Sequence, residues 1–397
     1  MSIRAVVTCS LAIALYVPAS TYPHDSRPST GVRLGVEQTN ELLRLTAGKR
    51  IAVVANKASI AGPDRQHIVD RLIAAGVDVR RVFAPEHGFR EWSEAGEVVQ
   101  DGRDIQTGVE VVSLYGNRKK PSQTDLADID AVLFDVQDVG ARFYTYISTM
   151  HYVMEACSEG EKTFIVADRP NPNDTVDGPI RRAGFESFVG IHPIPLLHGL
   201  TVGELAGMIN GEGWLAESKP CKLEVICIEG WSHGDPYEVV VAPSPNLPNG
   251  RAVQLYPSLC LFEGTGVSVG RGTAFPFQVA GCPGKAYGTF CFRPEVLTGF
   301  DSNPLHKGKD CYGIDLRQGE VTKGFSLRWL TYFYKIATEQ NDPFFTRPDW
   351  FDRLVGSDEL RHQLERGCME EEIRTSWAAE LATYKELRAK YLLYPTF

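Results

Sequence analysis

The chain has 397 residues, of which 43% are hydrophobic and 23% are charged, and its formal net charge is −9. This length exceeds what one compact core usually supports, so we expect two domains. The excess of acidic residues argues against nucleic acid or an anionic membrane as a partner, because either would require a basic patch.

Residues 1–20 have the layout of a secretory signal peptide. Arg4 gives a basic start, residues 5–19 are largely apolar and small, and polar, proline-containing residues 20–30 follow, so we expect cleavage near Ala19 or Ser20. The apolar stretch is too short to span a bilayer comfortably. We therefore predict a secreted or periplasmic protein with no membrane attachment in its mature form; a disordered tail with an apolar start is the alternative.

From residue 49 onward, short apolar runs alternate with helical patterns. Strands are predicted at residues 50–54, 79–83, 109–114, 131–136 and 163–167. Helices are predicted from Asp64 to just before Gly76 and over residues 143–157. This alternation predicts βαβ units, and hence a Rossmann-like domain with a parallel sheet over residues 31–180. No glycine-rich nucleotide fingerprint follows the first strand, so no cofactor is expected.

Residues 181–397 differ from the preceding part in the spacing of their prolines and glycines, and they predict a second, smaller α/β domain. Thr201 and Glu204 have the spacing of a capping box at a helix start, and residues 223–228 read as a strand. Segments such as "LFEGTGVSVGRGTAFPF" are rich in glycine and proline and suit ordered binding loops. From Phe325 to Tyr394 the pattern is mostly helical.

Polar side chains follow several of the predicted strands. They are Asn56, Glu86, His87, Gln137, Asp138, Asp168, Arg169 and Asn171. Because the carboxyl ends of parallel strands share one edge of a sheet, these side chains are expected to converge at a cleft. Pro85 and Gly88 indicate a tight loop around Glu86 and His87. Read in isolation, that stretch is also compatible with a simple exposed turn.

Nine cysteines occur in the chain, and eight remain if the signal peptide is removed. An even number in an exported protein permits disulfides, with Cys221–Cys227 and Cys282–Cys291 as candidate local pairs. However, no Cys-x-x-Cys and no Cys/His cluster at zinc spacing is present. Isolated buried thiols and the absence of a metal site are therefore the favoured interpretation.

Several longer motifs occur in a fixed order between about Gly35 and Tyr394: "APEHGFR", "VSLYGNRKKPS", "DAVLFDVQDVGARFYTYISTM", "DRPNPN" and "YPSLCLFEGTGVSVGRGTAFPF". In this combination the chain resembles the bacterial exo-β-N-acetylmuramidases of the NamZ type. The resemblance implies release of terminal N-acetylmuramic acid from the non-reducing end of peptidoglycan fragments, in a cleft between a Rossmann-like domain and a smaller α/β domain. One departure is Asn173-Asp174, where Asn-Gly is expected.

The resemblance implies that Glu86 is the leading catalytic acid. The second carboxylate that glycoside hydrolysis requires is assigned first to Asp138, because it follows a strand, then to Asp168 and Asp135. Arg271 is a candidate for the lactyl carboxylate of muramic acid. An ion pair between Asp138 and Arg142 at the helix start is the structural alternative for those two residues. Substrate binding is assigned to His87, Arg142, Tyr144, Asp168, Arg169, Asn171 and Arg271.

Two other classes of function stay open at this point. One is a non-catalytic protein that binds muropeptides, and the other is a metal-dependent amidase or esterase that acts on the same polymer. The sequence gives no distances between carboxyl groups, so it leaves retention or inversion at the anomeric carbon open, and participation by the N-acetyl group of the substrate is a further alternative.

Overall fold

The computed structural model describes residues 31–62, 64–91, 93–97 and 99–396. The predicted signal peptide lies outside these residues. Within the described ranges, no helix combines the length and apolar character needed to cross a membrane.

In chain order, the strands of the described residues are β1 (Arg50–Ala55), β2 (Ile60–Ala61), β3 (Gln66–His67), β4 (Asp78–Ala84), β5 (Gly102–Arg103), β6 (Glu110–Ser113), β7 (Ala131–Asp135), β8 (Thr163–Ala167), β9 (Val176–Ile180), β10 (Pro195–His198), β11 (Lys222–Ile226), β12 (Val279–Pro283), β13 (Phe290–Phe292) and β14 (Cys311–Asp315). The α-helices are α1 (Thr39–Thr46), α2 (Ile68–Ala74), α3 (Tyr146–Glu159), α4 (Val202–Gly211), α5 (Gly250–Leu259), α6 (Arg328–Gln340), α7 (Pro348–Val355), α8 (Glu359–Glu365) and α9 (Glu370–Arg388).

A seven-stranded sheet in the order β11-β8-β7-β1-β4-β6-β5 forms the centre of the fold. Its neighbouring strands are parallel except for β5, which pairs antiparallel with β6. Every residue of β7 is buried, as expected for a strand whose two faces are both covered. Ala52 and Val54 face one apolar core, while Ile51 and Val53 face the other. The predicted Rossmann-like sheet is confirmed.

Two predicted helix starts differ from the observed ones. The helix predicted from Asp64 begins at Ile68, because Gln66–His67 instead pairs as β3 with β2 (Ile60–Ala61) and His67 caps the helix. The Nδ1 atom of His67 accepts a hydrogen bond from the Val69 N–H at 3.3 Å. Helix α3 begins at Tyr146 rather than at residue 143. By contrast, the predicted capping box of Thr201 and Glu204 is confirmed at the start of α4.

The second, smaller part of the fold combines a three-stranded antiparallel sheet, β12-β14-β13, with helices α5 to α9. Strand β11 (Lys222–Ile226) lies beyond residue 180 yet pairs with β8 in the central sheet. The domain limits drawn from the sequence stay a prediction.

The cysteines of the described residues are all free thiols. Neither candidate local pair, Cys221–Cys227 or Cys282–Cys291, forms a disulfide. Cys157, Cys221, Cys260, Cys282 and Cys311 are buried, which is the environment expected of structural thiols.

Candidate active site

A cleft of about 740 Å³ opens where β4, β6 and β7 end. The sheet side of its wall carries the residues that follow these three strands, and the opposite side carries the 3₁₀-helix Cys260–Gly264 and the glycine-rich loop after it. Its polar lining includes Glu86, His87, Glu94, Tyr115, Lys119, Tyr144, Thr145, Ser244, Asn246, Glu263, Arg271 and Asp301.

Glu86 is held in the cleft wall by donors from two different loops. Its side chain is only 8% exposed. The Thr145 hydroxyl donates to Oε2 at 2.6 Å, and the Gly96 N–H donates to Oε1 at 3.2 Å. Because Thr145 follows β7 and Gly96 follows β4, the carboxyl group is fixed by two segments that the sheet brings together. Such fixed donors reduce the number of orientations open to the carboxyl group.

The loop that carries Glu86 has an unusual backbone. His87 has φ +71° and Gly88 has φ +84°, so two consecutive residues are left-handed. A Cβ atom on Gly88 would lie 2.8 Å from the Glu91 carbonyl oxygen, so glycine is required there. His87 is strained by comparison, and it is held by the Ser93 N–H, which donates to the His87 carbonyl at 3.0 Å. The tight turn predicted from Pro85 and Gly88 is confirmed.

The His87 imidazole is buried in the cleft wall, and burial disfavours its charged form. Burial lowers the pKa of His87, although the adjacent Glu86 acts in the opposite direction. Its Nδ1 atom lies 3.1 Å from the Ser93 carbonyl oxygen. A neutral imidazole at this position can donate or accept a hydrogen bond.

Glu263 and Arg271 form an ion pair on the wall opposite the central sheet. Arg271 Nη2 donates to Glu263 Oε1 at 2.6 Å, and the side chains are 22% and 23% exposed. The Arg271 guanidinium also lies over the Phe277 ring, 5.1 Å from its centroid. Arg271 therefore belongs to the cleft lining, and one edge of its guanidinium is engaged by a carboxylate.

Tyr115 lies close to carboxylates from both walls. Burial raises the pKa of its phenol, and the charges of Glu86 and Glu263 raise it further. The sequence reasoning did not single out Tyr115, Thr145 or Glu263. Tyr115 directly follows a predicted strand and so met the same criterion as Glu86, whereas Glu263 lies on a short helix far from any strand exit.

Asp138 is buried and does not line the cleft. Its Oδ2 atom accepts a hydrogen bond from the Gly140 N–H at 2.6 Å and lies 3.9 Å from His198 Nε2. Burial raises the pKa of Asp138 to about 7, although the N–H groups of Gly140 and Val139 act in the opposite direction. Its assignment as the second carboxylate stays a prediction.

Arg142 is fully buried and also lies outside the cleft lining. Its guanidinium donates to the carbonyl oxygens of Pro179 and Ile194 at 2.9 and 2.8 Å. It donates as well to those of Leu354 and Val355 at 2.9 and 2.6 Å. Arg142 therefore links the β9-β10 pair to helix α7, and it makes no ion pair with Asp138.

The segment after β8 is equally engaged inside the protein. Asp168 accepts from the hydroxyls of Thr201 and Tyr394 at 2.7 and 2.6 Å and from the Gly203 N–H at 2.9 Å. Arg169 donates to Asp135 at 2.6 Å, and Asn171 donates to the Leu200 carbonyl at 3.0 Å. Of the predicted site residues, the structure brings Glu86, His87, Tyr144 and Arg271 together in the cleft. Asp138, Arg142, Asp168, Arg169 and Asn171 lie outside its lining.

The chain matches known proteins over nearly its whole length. The profile of the N-terminal part of exo-β-N-acetylmuramidase NamZ matches residues 51–251, and that of the C-terminal part matches residues 254–394. The chain belongs to the NamZ family. A Bacillus subtilis (strain 168) protein named peptidoglycan β-N-acetylmuramidase NamZ is 33% identical over 423 aligned residues, which cover 99% of each chain.

Two crystal structures of DUF1343 family proteins from Bacteroides fragilis NCTC 9343 share the fold. One is 40% identical with a TM-score of 0.84, and the other is 30% identical with a TM-score of 0.80. Each match covers 92% of this chain and 99% of the other. Like its NamZ relative, the chain is a glycoside hydrolase.

The NamZ-family cleft offers the carboxyl groups that this class of enzyme needs. Glycoside hydrolases generally use one carboxyl group as the acid and a second as nucleophile or base. Glu86, Glu94, Glu263 and Asp301 all line the cleft. In the part of the chain that the structure describes, no group of three or more His, Cys, Asp or Glu side chains is placed to hold a metal ion.

Proposed function

We propose that this protein is an exo-acting peptidoglycan glycosidase that releases N-acetylmuramic acid from the non-reducing end of peptidoglycan fragments, with Glu86 as the catalytic acid. The names of the NamZ profiles and of the Bacillus subtilis relative support the substrate class. The single observation that carries the role of Glu86 is its position. It stands in the cleft at the carboxyl edge of the sheet, fixed by Thr145 and Gly96.

In this reaction Glu86 donates a proton to the glycosidic oxygen while the bond from that oxygen to the anomeric carbon breaks. The hydroxyl of Thr145 and the N–H of Gly96 keep the carboxyl group in one orientation toward the cleft. A positioned general acid of this kind typically accelerates bond cleavage by about 10²–10⁴-fold. His87, next in the chain, also lines the cleft and is our candidate for contact with a sugar hydroxyl.

The dimensions and lining of the cleft support a short saccharide end as the substrate. A volume of about 740 Å³ falls in the range of cavities that enclose small ligands. Tyr115 and Phe188 line the cleft, and their ring centroids are 6.0 Å apart. Lys119 lies over the Phe188 ring at 4.4 Å. Aromatic faces bind sugar rings, and a cation beside them suits a substrate that carries a carboxylate.

The test is the hydrolysis of two substrates by Glu86→Gln: a chromogenic aryl glycoside of muramic acid and a disaccharide that ends in muramic acid. We expect turnover of the disaccharide to fall by about 10²–10⁴-fold, because its leaving oxygen needs the proton. The aryl group of the chromogenic substrate is a better leaving group and depends less on protonation, so turnover of that substrate should fall less. Glu91→Gln is the matched control, since Glu91 lies on the same loop, is exposed and is not part of the cleft lining.

Full disaccharide turnover by Glu86→Gln would remove Glu86 from the role of acid. Binding of the disaccharide without any turnover by the unchanged protein would instead favour a muropeptide-binding protein. For the third class, a metal-dependent amidase or esterase, the measurement is exhaustive chelation. We expect unchanged release of reducing sugar, whereas release of peptide that stops with the chelator would favour the amidase.

We also propose that the protein is exported, because residues 1–20 have the layout of a signal peptide. N-terminal sequencing of protein recovered from outside the cytoplasm is expected to start near residue 20. Recovery from the cytoplasm with the first residues intact would contradict export.

A further inference from the structure

Besides Glu86, the reaction needs a second carboxylate, and only an acidic residue that lines the cleft can reach the substrate. Among the described residues, the acidic side chains that line the cleft together with Glu86 are Glu94, Glu263 and Asp301. Glu94 is engaged elsewhere, since it accepts from the N–H groups of Ser302 and Gly299 at 2.8 and 3.3 Å. It thereby fixes the loop around residue 300 against the sheet side of the cleft.

Asp301 and Glu263 differ in what surrounds them. Asp301 lies on that same loop and closes a local turn by accepting from the Asn303 N–H at 3.0 Å. Glu263 lies on the 3₁₀-helix Cys260–Gly264, whose Cys260, Leu261 and Phe262 are buried. A side chain on a buried, regular element is positioned more rigidly than one on a surface loop.

Glu263 is also the carboxylate that shares a neighbour with Glu86. The two carboxylates whose charges act on the Tyr115 phenol are Glu86, from the sheet side, and Glu263, from the opposite wall. Arg271 engages Glu263 Oε1 at 2.6 Å. In the described structure no hydrogen bond engages the other oxygen, Oε2. One oxygen is thus anchored and the other is available to a substrate or a water molecule.

We propose that Glu263, anchored by Arg271, is the second catalytic carboxylate of this cleft and that Arg271 is its positioning residue. This inference rests on the proposed function. It differs from the sequence prediction, which assigned the second carboxylate to Asp138 and assigned Arg271 to the substrate.

The chemistry balances in either of two routes. In both, the bond between the anomeric carbon and the glycosidic oxygen breaks and that oxygen takes the proton of Glu86. In one route Glu263 removes a proton from a water molecule whose oxygen attacks the anomeric carbon, and the proton returns to Glu86 through solvent. In the other, Glu263 forms an ester with the anomeric carbon, and water activated by Glu86 hydrolyses it. One water molecule is consumed in each.

The experiment is chemical rescue of Glu263→Ala by azide, with the chromogenic muramic acid glycoside as substrate. We expect turnover to fall by at least about 10³-fold, since no group then attacks or activates water. Azide should restore turnover and give an α-glycosyl azide, because in either route it enters from the face opposite the β-linked leaving group. The fold is checked by circular dichroism and by the melting temperature.

A matched control is Glu41→Ala. Glu41 pairs with Arg44 at 2.6 Å, the same distance as in the Glu263–Arg271 pair, but it lies on α1 and is not part of the cleft lining. Its variant should keep the turnover of the unchanged protein. Asp138→Ala is run beside it as the competing assignment.

Three results would overturn the proposal: full turnover by Glu263→Ala, loss of turnover that azide does not restore, or azide rescue of Asp138→Ala instead. The first of these leaves the proposed glycosidase function intact. If the unchanged protein does not turn over the muramic acid glycoside at all, the proposed function and the role of Glu263 both fail.

The positioning role of Arg271 has a separate readout. Arg271→Ala should lower kcat for the muramic acid glycoside and for any N-acetylglucosamine glycoside by similar factors, with KM little changed, and Arg271→Lys should recover part of kcat. A loss confined to the muramic acid glycoside, roughly ten- to a hundredfold in kcat/KM, would instead assign Arg271 to the lactyl carboxylate.

Discussion

Two regions of the same sheet edge carry similar side chains and use them differently. After β4 and β6, Glu86 and Tyr115 face a cleft that a substrate can enter. After β7 and β8, Asp138 and Asp168 are buried and pair within the protein. Both regions have acidic residues shortly after strands. The position after a strand therefore does not by itself distinguish a catalytic residue from one that stabilises the fold.

The difference comes from what lies over each region. The segment that leads into α4 and the C-terminal Tyr394 cover the residues after β8, and Tyr237 donates to Gln137 after β7 at 3.3 Å. Once water is excluded, each buried polar group must find a partner in the protein or destabilise the fold. Past the ends of β4 and β6, the second part of the chain lies opposite the sheet edge, and the cleft separates the two.

The largest expected effect in the covered region is that of Arg142→Ala on stability. It removes a buried guanidinium and leaves the carbonyl oxygens of Pro179, Ile194, Leu354 and Val355 without their donor. We expect the free energy of unfolding to fall by about 3–5 kcal/mol, with KM little changed. Urea denaturation and steady-state kinetics measure the two. Arg80→Ala, in an exposed pair with Asp78, is the control and should change stability by less than about 0.5 kcal/mol.

A rise in KM for Arg142→Ala with unchanged stability would contradict a structural role for Arg142. It would assign Arg142 to substrate binding, as the family resemblance implies.

Asp138→Asn should raise the free energy of unfolding, whereas Arg142→Ala should lower it. In the folded protein burial raises the pKa of Asp138 from 3.8 to about 7, so the folded state holds a proton that the unfolded chain has released. The stability of the unchanged protein should therefore fall as pH rises from about 4 to about 7. The variant lacks this penalty and should be more stable at pH 8 by about 4 kcal/mol, with a much smaller difference near pH 4.

The turnover of Asp138→Asn distinguishes a structural role of Asp138 from a catalytic one. A more stable variant with normal turnover assigns Asp138 to support. A more stable variant that has lost turnover would assign it to the reaction, since residues that act in catalysis often destabilise the fold.

His233 should make stability depend on pH in an alkaline window. Burial lowers its pKa, but Asp174 and Glu204, each 2.9 Å away, more than offset this and raise the pKa of His233 from 6.5 to about 9. A raised histidine pKa stabilises the fold fully below pH 6.5, and this contribution disappears as pH rises through 9. Allowing for partial screening by solvent, we expect a loss of about 2 kcal/mol across the window.

The measurement is urea denaturation between pH 6 and pH 9.5, with His233→Gln as the control that should lack this slope. Asp174 stands where the family resemblance leads one to expect glycine. An equal slope in both proteins would assign the pH dependence to other groups and leave the Asp174 substitution unexplained.

The smallest expected effect is a change in kcat that comes from a substitution in the cleft lining. Thr145→Val keeps the shape of the side chain but removes the hydroxyl that donates to Glu86 at 2.6 Å. We expect kcat to fall about tenfold, equivalent to about 1.4 kcal/mol, with KM and the melting temperature little changed. An unchanged kcat would mean that the orientation of Glu86 does not depend on this donor.

Local sequence patterns are enough to predict most strands of the central sheet and the start of helix α4. The apolar runs that become β1, β6, β7 and β8, and the last three residues of β4, are buried in a parallel sheet that is covered on both faces, and so their pattern is visible without the rest of the fold. The capping box at Thr201 is a contact between residues three apart, and the turn at Gly88 follows from a local backbone requirement. These features depend on residues that are close together along the chain, so the sequence is enough to predict them.

Which polar residues face the cleft depends on packing between segments that are distant in the chain. Asp138, Arg142 and Asp168 have the same local signature as Glu86, but segments distant in sequence cover them: Arg142 donates to carbonyls 212 and 213 residues away, and Tyr394 reaches Asp168 across 226 residues. In the same way, Glu263 lies near Tyr115 only because the second part of the chain folds over β6. The reason is physical: burial, and with it the choice between internal pairing and access to substrate, depends on long-range packing that no local pattern records.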